Sequence, residues 1–174
     1  ASTIDGIRLT VSTPRGQLSL SSPLIGEHNV RNLLGAVAVG LALEMEPPAI
    51  AAALATVDTV PGRFEQIRVG QPFLVVVDYA HTPDALERVL TTARKLTRGR
   101  LGTVFGCGGD RDRGKRPLMG AIAARLCDRV WITSDNPRSE NPSDIIDDIV
   151  AGISDDDRSR VEVEVDRAAA IKLA

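Results

Sequence analysis

Hydrophobic and polar residues alternate at the start of the chain. Ile7, Leu9 and Val11 are separated by polar positions, Leu18 and Leu20 repeat the pattern, and Thr13-Pro14-Arg15-Gly16 lies between the two runs. A period of two broken by a Pro/Gly turn predicts a β-hairpin. The spacing becomes helical over residues 29–43, and Pro47-Pro48 separates that helix from a second one over residues 48–55. Val60-Pro61-Gly62-Arg63 then interrupts the chain, and the pattern beyond it changes character. A domain boundary is expected there, dividing the sequence into residues 1–62 and 63–174.

From Phe64 onward strands and helices take turns. Residues 64–69 and 73–77 read as strands. A helix follows with Thr82 as its cap, Pro83 in its first turn, and Leu86, Val89, Leu90, Ala93 and Leu96 along one face. Next come a strand over 101–105, a helix over 117–126 whose apolar row is Leu118, Ile122 and Leu126, and a short strand over 130–133. Asn141-Pro142 opens a helix with Ile145, Ile146, Ile149, Val150 and Ile153 on its apolar face, Asp155-Asp156-Asp157 reads as a solvated loop, and a strand over 161–165 precedes a helix from Asp166. Strands alternating with helices of this length imply parallel pairing. The fold class is α/β: a mostly parallel sheet preceded by a hairpin and two helices.

In a parallel sheet the strand-to-helix loops all leave from the carboxyl edge, where ligands bind. Three such loops hold the unusual residues of this chain: residues 78–84, residues 106–116, and residues 134–140. Three polar loops on one edge predict a site for a charged small molecule. Composition narrows the choice. Of 174 residues 43% are hydrophobic and 25% charged, and the formal net charge of −2 leaves no cationic surplus for a nucleic-acid footprint. The longest apolar run, residues 33–43, falls well short of the roughly 20 residues a membrane span needs. No basic-then-apolar leader opens the chain, and Cys107 and Cys127 fit neither a zinc site nor a disulfide scaffold, which points to a reducing cytosol.

Residues 109–115 spell G-x-x-x-x-G-K between a strand and a helix, the arrangement of a phosphate-binding P-loop. The Ser or Thr that should follow is Arg116, and Asp110 and Asp112 would repel phosphate. The preferred reading is a mixed-charge recognition loop in which Arg111 grips a carboxylate in bidentate geometry; a charge-paired turn is the plainer one. Asp135, Asn136 and Arg138, held around Pro137, can take a group bearing both an ammonium and a carboxylate, that is, one end of an amino acid. An Asx-turn with a surface ion pair is the plainer alternative. His81 is expected to hydrogen-bond its own loop, His28 to be exposed at a helix start, and Cys107 to pack and not to act as a nucleophile. Neither a catalytic residue nor a metal ligand is identified in this chain.

Five segments occur together in a recognisable order: Gly26-Glu27-His28-Asn29-Val30-Arg31-Asn32, Val60-Pro61-Gly62-Arg63, Asp78-Tyr79-Ala80-His81-Thr82-Pro83-Asp84, residues 105–120, and Asp135-Asn136-Pro137-Arg138. From about residue 26 to residue 152 the chain resembles the Mur ligases, and among them the members that add meso-diaminopimelate. The resemblance implies a three-domain cytoplasmic enzyme of peptidoglycan synthesis. With ATP and Mg2+ it converts the D-glutamyl carboxylate of UDP-MurNAc-L-Ala-D-Glu to an acyl phosphate, which the amine of the incoming amino acid attacks. It implies that residues 1–62 are the tail of a P-loop-type ATPase domain and residues 63–174 most of a Rossmann-like carboxyl-terminal domain. The ATP loop, a modified lysine and a magnesium-binding glutamate would lie upstream of residue 1, and a Gly-x-Gly-His-Glu segment beyond Ala174. A monomer with small-molecule partners only, neither nucleic acid nor membrane, is implied as well.

Carried over by position, Asn29 and Asn32 match residues near the adenine. Arg63, in the linker at the expected boundary, and Asp78, at a strand end beyond it, match residues on the ribose and phosphate side, as a site closing between domains requires. Arg111 matches an arginine on the incoming amino acid. Asp135, Asn136, Pro137 and Arg138 match the motif of diaminopimelate-adding members, and lysine-adding members generally lack that arginine. A second substrate carboxylate gives Arg138 a charge to meet, whereas the ammonium of lysine would be repelled. The alternatives are a ligase adding L-lysine or another amino acid, a stand-alone amino-acid- or nucleotide-binding module, and a phosphotransferase built on residues 109–115.

Overall fold

The computed structural model describes residues 2–3 and 5–174, and the chain divides into two compact units, residues 1–79 and 80–174. In the first unit β1 (Ser2–Thr3), β2 (Gly6–Thr13) and β3 (Gly16–Ser22) form an antiparallel sheet in that order. The expected hairpin is there, with Thr13 opposite Gly16. Thr13 tightens the turn, its Oγ1 donating to the Gly16 carbonyl at 2.7 Å and accepting the Arg15 N–H at 3.1 Å. The inward side chains of the hairpin, Leu18 and Leu20, are buried with Val37 of α1 (Glu27–Ala42) and Ile50 of α2 (Pro47–Ala55). A second cluster joins Ile7, Leu24 and Leu33. Each such aliphatic, fully buried, contributes about 1.5–3 kcal/mol relative to exposure.

The strands β4 (Glu65–Ile67) and β5 (Val75–Val77) pair antiparallel, Glu65 opposite Val77 and Ile67 opposite Val75, in a sheet of their own. This corrects the parallel pairing expected for them. Only residues 68–74 connect the two strands, too few for a parallel crossover, which needs a dozen or more. The compact-unit limit therefore follows Tyr79, whereas the break in pattern lies at residues 62 and 63.

The second unit is the α/β layer. Its elements are α3 (Pro83–Leu96), β6 (Gly102–Phe105), α4 (Lys115–Leu126), β7 (Arg129–Ile132), α5 (Pro142–Val150), a 3-10 turn over residues 155–160, β8 (Val161–Val163) and α6 (Arg167–Leu173). The sheet is parallel in the order β6-β7-β8, as the alternation of strands and helices implies. Val130, Trp131 and Ile132 of the central strand are all buried, the unbroken apolar run of a strand covered on both faces. Thr82, Asn141 and Asp166 cap α3, α5 and α6 by accepting the N–H groups of Ala85, Ser143 and Ala169.

Two details differ from expectation. Leu118 is exposed, and α4 buries Met119, Gly120, Ala123 and Ala124. The helix packs between α3 and α5 so tightly that a β-carbon on Gly120 would stand 2.1 Å from the Ile149 carbonyl oxygen, so small residues face the neighbour and the leucine turns out. Asp155-Asp156-Asp157 belongs to the 3-10 turn and is not irregular loop. Among the described residues no helix is long and apolar enough to cross a membrane.

Candidate substrate-binding site

Of the three loops expected to form the site, those after β6 and β7 leave the carboxyl edge of the parallel sheet, whereas the one after β5 does not, because β5 pairs elsewhere. The β6–α4 and β7–α5 loops are pressed together. A β-carbon on Gly106 would lie 2.2 Å from the Thr133 carbonyl oxygen, and one on Gly109 1.9 Å from that of Pro137. The glycines serve this contact between loops. Gly109 N–H donates to the Asn136 carbonyl at 3.1 Å. The Asp110 N–H donates to Glu140 Oε1 at 2.6 Å, and the Asp110 carboxylate accepts the Ser139 N–H at 3.2 Å and the Ser139 hydroxyl at 2.7 Å. These bonds hold the Asp110 carboxyl below the usual carboxylate range. Asp110, Asn136 and Arg138 have φ of +52°, +45° and +52°. Such a conformation costs about 1–3 kcal/mol at a non-glycine residue and persists only where the surroundings impose it.

Every expected residue of the amino-acid site lies on this clasp. Arg111 is exposed, its Nη1 making a long 3.4 Å contact with the Asp110 carbonyl. Asp135 Oδ1 accepts Asn136 Nδ2 at 3.0 Å. Pro137 is half-buried between them and Arg138, whose Nη1 donates to the Gly109 carbonyl across the loops.

The sequence reading gave no role to Arg116 or Glu140 beyond noting that Arg116 breaks the P-loop pattern. Arg116 is fully buried. Its Nη1 donates to Glu140 Oε2 at 3.0 Å and to Asp148 Oδ2 at 2.9 Å, and its Nη2 to Glu140 Oε1 at 2.8 Å. Arg113 adds a second cation on Glu140 Oε2 at 2.8 Å. The Arg116 hydrogen bond, the Asp110 N–H and the two guanidinium charges together hold the Glu140 carboxyl down at about 2. A signal was present: α4 begins Lys115-Arg116 with no acidic residue in its first turn. Cations there oppose the helix dipole and so ask for partners.

The same bonds answer the P-loop reading. A P-loop points its backbone N–H groups at phosphate, but those of Gly109, Asp110, Gly114 and Arg116 are taken by Asn136, Glu140, Asp112 and Arg113. Lys115 Nζ donates to the His81 carbonyl at 2.8 Å. The charge-paired turn describes Asp110, Arg113 and Arg116, and leaves Arg111 outward. Cys107 packs as expected, its Sγ 3.7 Å from Met119 Sδ, and burial pushes its thiol up to about 11.

The expected nucleotide residues all lie in the first unit. Asn29 is buried at the start of α1; its Nδ2 donates to the Ile25 carbonyl at 2.9 Å and its Oδ1 accepts Asn32 Nδ2 at 3.0 Å. Asn29 thereby orients the exposed Asn32 amide. Asp78 Oδ2 accepts the N–H of Phe64 at 2.8 Å, where the backbone turns through φ +51°. Arg63 places its guanidinium carbon 5.7 Å from the centroid of the exposed Tyr79 ring. His28 is not exposed as expected. Its ring meets Phe64 edge-on at 5.3 Å, its Nε2 is buried without a hydrogen-bond partner, and burial lowers its pKa against the opposing charge of Asp78. Arg63 and Asp78 both belong to the unit of residues 1–79. Among the described residues no three His, Cys, Asp or Glu gather as a metal site.

Comparison with known proteins adds a separate line of evidence. Residues 62–174 match the family described as "Mur ligase, glutamate ligase domain". The UDP-N-acetylmuramoyl-L-alanyl-D-glutamate–2,6-diaminopimelate ligase of Thermosynechococcus vestitus is 54% identical over 172 residues, covering 98% of this chain and 34% of that protein. The ligase of the same name from Synechococcus elongatus is 55% identical over 171 residues, covering 97% of this chain and 34% of that protein. Among solved structures, one of a ligase of that name is 40% identical with a TM-score of 0.67, covering 99% of this chain and 35% of that one. A folylpolyglutamate synthase of Mycobacterium tuberculosis, complexed with ADP, is 25% identical with a TM-score of 0.78, covering 99% of this chain and 38% of that one. The chain thus spans about a third of the length of the curated relatives it matches. With five motifs in order, a parallel sheet whose edge loops carry two of them, and a family match over most of its length, the chain belongs to the Mur ligase family.

Proposed function

We propose that this chain is the amino-acid-adding part, and a portion of the nucleotide-binding part, of an ATP-dependent amide ligase of peptidoglycan-precursor synthesis. The amino acid added is meso-diaminopimelate and the acceptor is UDP-MurNAc-L-Ala-D-Glu. The names of the relatives support this. The observation that carries it is the state of Arg138. Its guanidinium reaches a neutral backbone carbonyl, that of Gly109, on a loop that also projects Arg111. A substrate carboxylate is the stronger acceptor, by about a factor of two, and can take that place. Asp135 beside it suits the substrate ammonium. The far amine of the amino acid is then held by its own head group and left to attack.

ATP supplies the activation of the D-glutamyl carboxylate. Asn32, oriented by Asn29, presents an amide suited to the edge of a base. Arg63 over Tyr79 suits a phosphate, and Asp78 a ribose hydroxyl. Mg2+ accompanies ATP in this reading and is assigned to no residue of this chain. A cytoplasmic monomer acting on soluble substrates fits this reading.

The test is an amino-acid panel with the full-length protein. Meso-diaminopimelate must be used in clear preference to L-lysine and L-ornithine. Arg138→Ala should raise its KM by about a hundredfold, the loss expected when a charge-assisted bond is removed. An enzyme that prefers lysine, or a variant with unchanged KM, overturns the assignment.

A further inference from the structure

The Arg116–Glu140 pair crosses the clasp beside the candidate substrate residues. Arg116 stands in the first turn of α4 and Glu140 just before α5. Glu140 receives both Nη groups of Arg116, the backbone N–H of Asp110 and the guanidinium of Arg113. Arg116 also reaches the Gly108 carbonyl at 3.5 Å and Asp148 of α5. One guanidinium and one carboxylate therefore join both loops and both helices that follow them.

A buried ion pair is a poor source of net stability, because apolar residues of the same volume often serve as well. Arg116 Nε is moreover left buried without a partner. What a forked pair supplies that an apolar contact does not is a single relative register. The backbone it sets is the strained one. Asp110, whose N–H is fixed by Glu140, directly precedes Arg111, and Arg138 stands two residues before Glu140.

We infer that Arg116 and Glu140 are positioning residues for the incoming amino acid, their ion pair fixing the strained loop backbones from which Arg111 and Arg138 project. The inference rests on the reading of these loops as the amino-acid site. Neither residue touches substrate. Removal of the pair should therefore relax the two loops and weaken the amino acid selectively.

The experiment uses the full-length protein with Glu140→Gln, which keeps the size of the side chain but removes its charge and one acceptor. The expected result has two parts. Hydrogen exchange at the amides of Gly109, Asp110, Ser139 and Glu140 quickens by about tenfold or more while α3 and the β2–β3 hairpin are unchanged. The KM for the amino acid rises by about tenfold or more while the KM values for ATP and for the UDP-linked dipeptide stay within about twofold. Unchanged exchange in the loops overturns the inference, and so does a rise shared by all three KM values, which marks a merely structural pair. If Glu140→Gln does not fold, Arg116→Lys is read in the same way, since it keeps the buried cation but loses the fork. The outcome is separable from the assignment of diaminopimelate. A wild-type enzyme that prefers another amino acid sinks that assignment, while the exchange data and the KM for the preferred amino acid still decide the role of the pair.

Discussion

Gly109 lies against the Pro137 carbonyl so closely that a β-carbon on it would stand 1.9 Å from that oxygen, whereas on neighbouring Gly108 the nearest atom would be at an ordinary 3.7 Å. The first contact is backbone on backbone, so neither side can give way without opening the clasp. Gly109→Ala should cost about 1–3 kcal/mol, the range for overpacking a filled site. Gly108→Ala should stay within about 0.5 kcal/mol. Urea unfolding of the two variants compares them directly, and equal midpoints would show that the loops are not in contact.

Glu140 makes stability depend on acid in a defined window. Its folded pKa, about 2, lies below the unfolded value of about 4.3. The unfolded state takes up its proton first, so the contribution of this group is complete above about pH 5 and lost as the pH falls toward 2. Melting curves of wild type and Glu140→Gln should converge across that interval. A difference that stays constant from pH 6 to below pH 3 contradicts the pairing.

Asp78 is proposed to meet the nucleotide, yet it also accepts the Phe64 N–H. Asp78→Asn keeps an acceptor for that bond and removes only the charge. The expected outcome in the full-length protein is a melting temperature close to wild type with a KM for ATP raised by about tenfold. A lowered melting temperature with unchanged KM would assign Asp78 to the fold alone.

Both cysteines should be silent. Burial pushes Cys107 up to about 11 and Cys127 up to about 12. At pH 8 the thiolate of Cys107 is then about one part in a thousand, and access is closed as well. Iodoacetamide followed by mass spectrometry should find neither residue modified in the native protein and both modified in urea. Labelling of Cys107 under native conditions would show that the Gly-rich loop opens.

What the sequence determined alone is what lies within a few residues. The hairpin follows from alternation interrupted by Pro14 and Gly16, and the starts of α3, α5 and α6 from Thr82, Asn141 and Asp166, because a cap bonds N–H groups two or three positions along the same chain. The loops that carry Arg111 and Arg138 were legible for the same reason, as polar runs after apolar strands. What only the tertiary structure decided is who meets whom. Alternation marks β4 and β5 as strands but does not name their partner, and the short link between them makes the pairing antiparallel. Helical spacing marks Leu118 as apolar, but the approach of α5 requires small residues on the buried face. Arg116 reads as a defect in a phosphate loop until Glu140 and Asp148 arrive from distant segments to pair with it. Local bonds are encoded by spacing, whereas a buried charge is made tolerable only by partners that folding brings to it.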